Sequence, residues 1–109
     1  MFKAANVVMV LNADPAKHRA TIKGDQFEYT TVLTPLFNFD QAAQVCRELV
    51  EKEGVQAISL CPGFSHEGVA KVQSALGEGV PVNVCRGDVA STMMTGQILV
   101  KEGWIPAGH

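Results

Sequence analysis

The chain has 109 residues, of which 47% are hydrophobic and 18% are charged, and its formal net charge at pH 7 is −2. This length predicts one α/β domain over residues 1–109, and it excludes two lobes with a cleft between them. The lysines and arginines are scattered, which argues against a nucleic-acid or anionic-membrane surface. No apolar run reaches the length of a membrane span and no cleavage-like site follows the N-terminus, so a cytoplasmic protein is expected. Three cysteines without the spacing of a disulfide framework indicate free thiols.

Apolar periodicity and turn residues divide the chain into alternating strands and helices. The run 5–11 is almost continuously apolar, which is typical of a central parallel strand covered on both faces. Residues 27–33 alternate between apolar and polar side chains, as an edge strand does. The predicted order is strand 5–11, short helix 16–22 capped by Asp14, strand 27–33, a helix from Asn38 or Asp40 to Gly54, strand 55–61, helix 66–76, strand 80–85, helix 89–100 and a tail over 103–109.

This alternation predicts a small flavodoxin-like or Rossmann-like α/β domain, with a four-stranded parallel sheet in the order 2-1-3-4 and helices on both faces. Ligands of such sheets bind outside the carboxyl ends of the strands, at the switch point, which here lies between strands 1 and 3. Asn12 and Asp14 follow the first predicted strand, Cys61 ends the third and Arg86 follows the fourth. The sequence therefore predicts a ligand site at this rim of the sheet.

The turn after the third predicted strand is the centre of that site. Pro62 and Gly63 break the strand, Phe64 follows them, and Ser65 can cap the next helix. The N-terminus of that helix offers the amides of residues 64–67 and a partial positive charge to an anion. We therefore expect the turn to contribute to anion binding.

Cys61, His66 and Glu67 are the candidate catalytic residues. A thiol beside a helix N-terminus and an imidazole has a lowered pKa, and His66 can act as acid or base near neutral pH. The alternative is that Cys61 is an ordinary buried strand residue and His66 points to solvent. A further alternative joins Cys61 to Cys85 as a redox pair or, with His66, a soft-metal site. Because no C-x-x-C spacing occurs, no metal site is assigned.

Basic side chains near the same rim are candidate anion ligands. Lys17, His18 and Arg19 lie on the first predicted helix, and Arg86 either pairs with Asp88 or faces a ligand. Neither the dinucleotide-binding nor the P-loop glycine pattern occurs, so no cofactor is predicted.

Large apolar side chains near the C-terminus predict a further contact. Met93, Met94, Ile98 and Trp104 are typical of a core or a subunit interface. Because one short domain lacks the second wall of a deep active site, we expect a homodimer or a larger homo-oligomer.

Four segments resemble a family of short bacterial proteins catalogued only as a domain of unknown function. They are residues 1–5, 13–19, 54–70 and 80–86, with motifs of the form Ala-Asp-Pro-x-Lys-His-Arg and Cys-x-Gly-Phe-x-x-Glu-Gly-Val-Ala. The resemblance implies a Rossmann-like domain and no established reaction. The motif positions it implies are Asp14, His18, Arg19, Cys61, Gly63, Phe64, His66, Glu67 and Arg86. In the family pattern Cys85 is often replaced by an aliphatic residue and Ser65 by glycine, which weakens the paired-thiol and serine-nucleophile hypotheses.

Together these features predict binding of a small anionic metabolite that bears a carboxylate or phosphate. If the protein is an enzyme, proton transfer of the isomerase or lyase type fits better than redox or nucleotide chemistry. The competing hypothesis is a non-catalytic oligomeric module that binds a ligand or regulates a partner. A third hypothesis is an isomerase resembling the cysteine-using racemases, with Cys61 opposite a thiol of a second subunit.

Overall fold

The computed structural model of the protein describes residues 1–107, so the last two residues of the predicted tail, Gly108 and His109, lie outside the described residues. The chain forms a five-stranded mixed sheet and three helices. In chain order the elements are β1 (Phe2–Val10), β2 (Arg19–Lys23), β3 (Phe27–Pro35), α1 (Phe39–Glu53), β4 (Ala57–Leu60), α2 (His66–Leu76), β5 (Val82–Val84) and α3 (Val89–Lys101).

The sheet has the strand order β2-β3-β1-β4-β5, so the predicted four-stranded parallel sheet in the order 2-1-3-4 is wrong in strand number and in being all parallel. β1 pairs in parallel with both β3 and β4, and β4 pairs in parallel with β5. The central position predicted for the first apolar run is therefore confirmed. β2 is antiparallel to β3 and lies at the edge, so β3 is not the edge strand that its sequence alternation predicts.

The predicted short helix over 16–22 is wrong. Asp14 does start a turn, because its Oδ1 accepts a hydrogen bond from the Ala16 amide at 3.0 Å and its carbonyl accepts one from the His18 amide at 2.8 Å. The chain then enters β2 instead of continuing the helix. Pairing with β3 supplies the backbone hydrogen bonds that a helix would otherwise form, and tertiary pairing of this kind overrides local helix signals.

The core lies on one face of the sheet. Val7 on β1 faces Val32 on β3 and Leu60 on β4 across the ladder, and all three side chains are fully buried. Cys46 and Leu49 of α1 and Val72 of α2 belong to the same buried cluster. α1 and α2 thus cover this face together.

Capping residues and one glycine set the positions of these two helices. Asn38 Oδ1 accepts a hydrogen bond from the Gln41 amide at 3.0 Å, which caps α1 as predicted, and Gly54 ends the helix in the left-handed region with φ of 75°. α2 passes close to α1 at Gly68, where a Cβ would lie 2.5 Å from the Phe39 ring. A larger residue at position 68 would force the Phe39 ring or one of the two helices to shift.

α3 is less buried than the other two helices. None of its residues is buried, whereas α1 and α2 both bury a stripe. The sheet face opposite α1 and α2 therefore has no tightly packed helix, and the predicted cover on both faces is incomplete. Within residues 1–107, no helix combines the length and the apolar character needed to cross a membrane.

Candidate functional site

A cleft of about 530 Å³ lies at the carboxyl ends of β1 and β4, beneath α3. We call it the rim cleft. Its lining residues come from the end of β1, the turns after β3, β4 and β5, one side of α3 and the segment after α3. They are Val8, Met9, Leu36, Phe37, Cys61, Pro62, Gly63, Arg86, Gly87, Asp88, Ser91, Thr92, Thr95, Gly96, Leu99, Trp104 and Ile105.

The turn after β4 forms the floor of the rim cleft. The Phe64 amide donates to the Cys61 carbonyl at 3.2 Å, which closes the predicted turn through Pro62 and Gly63. A Cβ on Gly63 would lie 3.1 Å from Met9 Cε, so glycine keeps this turn close to β1. Phe64 is buried against Phe39, with ring centroids 5.5 Å apart, and so anchors the turn to α1.

Cys61 is the thiol of the rim cleft. It is half-buried, and its Sγ accepts a hydrogen bond from the Met9 amide at 3.5 Å. Cys46 differs, because it is fully buried in α1 and burial raises the pKa of its thiol to about 12. Cys85 is exposed and outside the cleft lining, and all three thiols are free. Cys61 is therefore the cysteine that a bound molecule would meet.

Arg86 lies at the mouth of the rim cleft and pairs with Asp88. Its Nε donates to Asp88 Oδ1 at 2.6 Å, and both side chains are largely exposed. The sequence left open whether Arg86 pairs with Asp88 or faces a ligand, and in this state of the protein it does the former. The Asp88 carboxylate does not cap α3, so the first turn of that helix has no side-chain acceptor for its amides.

The residues predicted after β1 lie elsewhere. Asn12 is in the left-handed region with φ of 58° and is exposed, and it does not line the rim cleft. Asp14 and Arg19 line a separate cleft of about 310 Å³ beside α1. His18 Nδ1 accepts a hydrogen bond from the Asp14 amide at 2.8 Å, and Arg19 Nη2 donates to both Glu53 carboxylate oxygens at 2.8 Å. Hydrogen bonds within the protein thus occupy the side chains of His18 and Arg19.

The remaining predicted residues belong to the first turn of α2. Ser65 is its N-cap, since its Oγ accepts a hydrogen bond from the Gly68 amide at 3.1 Å. His66 and Glu67 are exposed and do not line the rim cleft. Of the predicted site residues, the structure thus brings Cys61, Gly63 and Arg86 together around one cleft. Residues 1–107 contain no cluster of three or more His, Cys, Asp or Glu side chains placed to hold a metal ion.

Phe37 is one of the cleft residues that sequence reasoning missed. It adopts φ of 58°, which is rare for a bulky side chain, in a turn closed by the Asn38 amide and the Pro35 carbonyl at 3.3 Å. Its own amide donates to Met9 Sδ at 3.3 Å. Turns with a positive φ favour glycine, and the sequence has phenylalanine at this position instead. Backbone strain of this kind concentrates at functional sites.

Comparison with known proteins places the chain in a family. No curated protein and no solved structure matches it at a significant level. The model of one protein family matches residues 2–98, which run from the start of β1 into α3 and include most of the rim cleft. The chain therefore belongs to DUF6506, a family of unknown function.

Proposed function

We propose that this protein binds a small molecule with an apolar body and one anionic group, a carboxylate or a phosphate, in the rim cleft. The observation that carries the proposal is a mostly apolar cleft that ends at the uncapped N-terminus of α3, next to Arg86. Its volume of about 530 Å³ lies within the range of small-molecule sites. Apolar walls with a few polar groups at one end are the usual form of such sites.

The anionic group would be held at the start of α3. Asn38 caps α1 and Ser65 caps α2 with a side-chain oxygen, but α3 has no such cap. An anion at its first turn would accept these amide hydrogens and meet the positive end of the helix dipole. Because Arg86 and Asp88 are both solvated, their ion pair is weak, and Arg86 can turn to the anion at little cost.

The apolar body would lie against the inner walls of the cleft. Val8, Leu36 and Leu99 contribute aliphatic side chains to the cleft lining, and Phe37 and Trp104 contribute aromatic rings. Aromatic rings give large contact areas for few rotatable bonds, so they suit an apolar ligand. This arrangement favours an amphipathic acid over a small hydrophilic anion.

Proton transfer of the isomerase or lyase type is our proposal for a reaction, with Cys61 as the acid or base. Cys61 lines the cleft, whereas His66 and Glu67 would have to act from outside its lining. The second candidate is a non-catalytic oligomeric module that binds or senses the same ligand. The exposed apolar surface of α3 favours this second candidate, because it indicates assembly.

Trp104 supplies a direct binding assay, because it is the only tryptophan in the sequence and it lines the cleft. Hexanoate and hexyl phosphate should change its fluorescence in a saturable way. Hexanol, which lacks the charge, and inorganic phosphate, which lacks the apolar body, should bind much more weakly. Equal responses to hexanol and hexanoate would overturn the anionic half of the proposal.

Substitution of Arg86 tests whether this side chain contacts the anion. Arg86→Gln should weaken hexanoate binding about tenfold, since a charged hydrogen bond contributes roughly 1.5 kcal/mol. Arg47→Gln is the matched control, because Arg47 pairs with Glu51 on the exposed side of α1. If Arg86→Gln behaves like Arg47→Gln, the anion does not bind at this place.

A thiol-directed reagent separates catalysis from binding. In a Cys85→Ser background, labelling of Cys61 with iodoacetamide is followed as a function of pH. An apparent pKa well below that of a free thiol supports acid-base chemistry at Cys61. Slow labelling without such a pKa leaves the binding module as the better proposal.

A further inference from the structure

α3 exposes several large apolar side chains, which is unusual for a surface helix of a monomer. The side that lines the rim cleft carries Ser91, Thr92 and Thr95 together with Leu99. Outside the cleft lining lie Val89, Met93, Met94 and Ile98, which are between 57% and 81% exposed, interspersed with the exposed Gln97 and Lys101. A surface helix of a monomer turns its apolar stripe to the core and its polar side to water. The exposed apolar residues of α3 therefore favour a partner surface that covers them.

The sheet has a second uncovered apolar surface, which we call the open sheet face. It is the side opposite α1 and α2, and its exposed members are Phe2, Ile22, Phe27 and Tyr29. The register places Phe2 beside Phe27 and Ile22 beside Tyr29, so the four side chains form one patch. The same chain thus has a helix, α3, with exposed apolar residues and a sheet face without a helix packed on it.

The total exposed area of the chain is larger than a compact monomer of this mass would expose. A folded monomer of 11.7 kDa exposes about 5,900 Å² by the usual scaling of area with mass, but this chain exposes 7007 Å², about 1,100 Å² more. A stable interface buries roughly 800 Å² on each partner. The excess is thus as large as one complete interface.

We propose that a second copy of the chain supplies this cover, in a symmetric dimer in which α3 of each copy lies on the open sheet face of the other. A twofold arrangement uses both patches at once, since each contact occurs twice with the roles exchanged. It also gives β1 the cover on both faces that its nearly continuous apolar sequence calls for. The dimer does not depend on the ligand proposed above, although it would fix one wall of the rim cleft.

The oligomeric state tests the proposal first. Sedimentation equilibrium should give twice the chain mass of 11.7 kDa, about 23 kDa, at micromolar concentration. Met93→Glu combined with Met94→Glu should raise the dimer dissociation constant at least 100-fold, because the charges would be buried in the interface. Gln44→Glu combined with Gln73→Glu, at exposed positions of α1 and α2, is the matched control. A monomer at all concentrations, or a dimer that the α3 variant leaves intact, overturns the proposal.

Disulfide formation between two variants tests the arrangement itself. In a Cys85→Ser background, a chain with Met93→Cys is mixed with a chain with Tyr29→Cys under mild oxidation. The mixed disulfide should form faster than either self-disulfide, because each cysteine would meet the other variant across the interface. Rapid self-coupling of the Met93→Cys chain would instead place the two α3 helices side by side and refute the helix-on-sheet arrangement. Circular dichroism confirms that each variant is folded.

Discussion

Replacement of Phe37 separates backbone strain from ring packing. Phe37 has φ of 58°, a region that costs a residue with a Cβ roughly 1–2 kcal/mol. Phe37 is 51% exposed, so burial of its side chain contributes about 1 kcal/mol, half of what a fully buried phenylalanine gives. Phe37→Ala removes the ring and keeps the strain, so it should destabilise the protein by about 1 kcal/mol. Phe37→Gly removes both, and it should be more stable than Phe37→Ala by about 1 kcal/mol.

Urea denaturation of the two variants and the unmodified protein measures this difference. Gln44 in α1 is the control position, because it is exposed in a helix interior and alanine should there be more stable than glycine by roughly 1 kcal/mol. If alanine is also the more stable residue at position 37, the left-handed conformation is wrong and the strain does not exist. The same two variants should both weaken hexanoate binding, which would identify the ring as a ligand contact independently of stability.

Three further predictions concern the core and the helices. Gly68→Ala should destabilise the protein by about 1–3 kcal/mol in urea denaturation, because the new methyl group overlaps the Phe39 ring, and Phe39→Leu should partly rescue it. Burial raises the pKa of Cys46 from 9.0 to about 12, so the unfolded chain loses this proton first and stability should fall as pH rises from about 9 to 12. Cys46→Ala should flatten that pH dependence, and an unchanged slope would contradict it. Asn38→Ala should cost about 1 kcal/mol by removing the cap of α1, whereas Asn38→Asp should retain most of the stability in the same assay.

Sequence reasoning located the elements with strong hydrophobic periodicity. The stripe of α1 and the apolar run of β1 each bury several side chains, so burial leaves a readable pattern. The sequence of β2 has no such hydrophobic pattern, because all five of its residues are exposed. Its pairing with β3 depends on contacts with residues outside the local sequence. Asp14 and Pro15 are typical of a helix start, so the sequence predicted a helix where pairing with β3 forms the strand β2.

Part of the site could be predicted, namely the residues whose positions follow from the strand order. Cys61 and Arg86 follow neighbouring parallel strands, and strand order was enough to bring them to one rim. The side chains of Asp14, His18 and Arg19 depend instead on the turn before β2 and on the pairing of β2 with β3, which the local sequence does not indicate. Phe37 and Trp104 enter the cleft through a turn and a terminal segment, for which periodicity gives no information.

The two edge strands of the sheet, β2 and β5, affect how the protein behaves at high concentration. β2 carries Arg19 and Lys23 at its two ends and is followed by a tight turn, and β5 is only three residues long. Charged or very short outer strands are poor templates for a foreign strand. The protein should therefore resist growth into β-fibrils even under conditions in which its apolar surfaces associate, and crowding should give discrete complexes instead of extended aggregates.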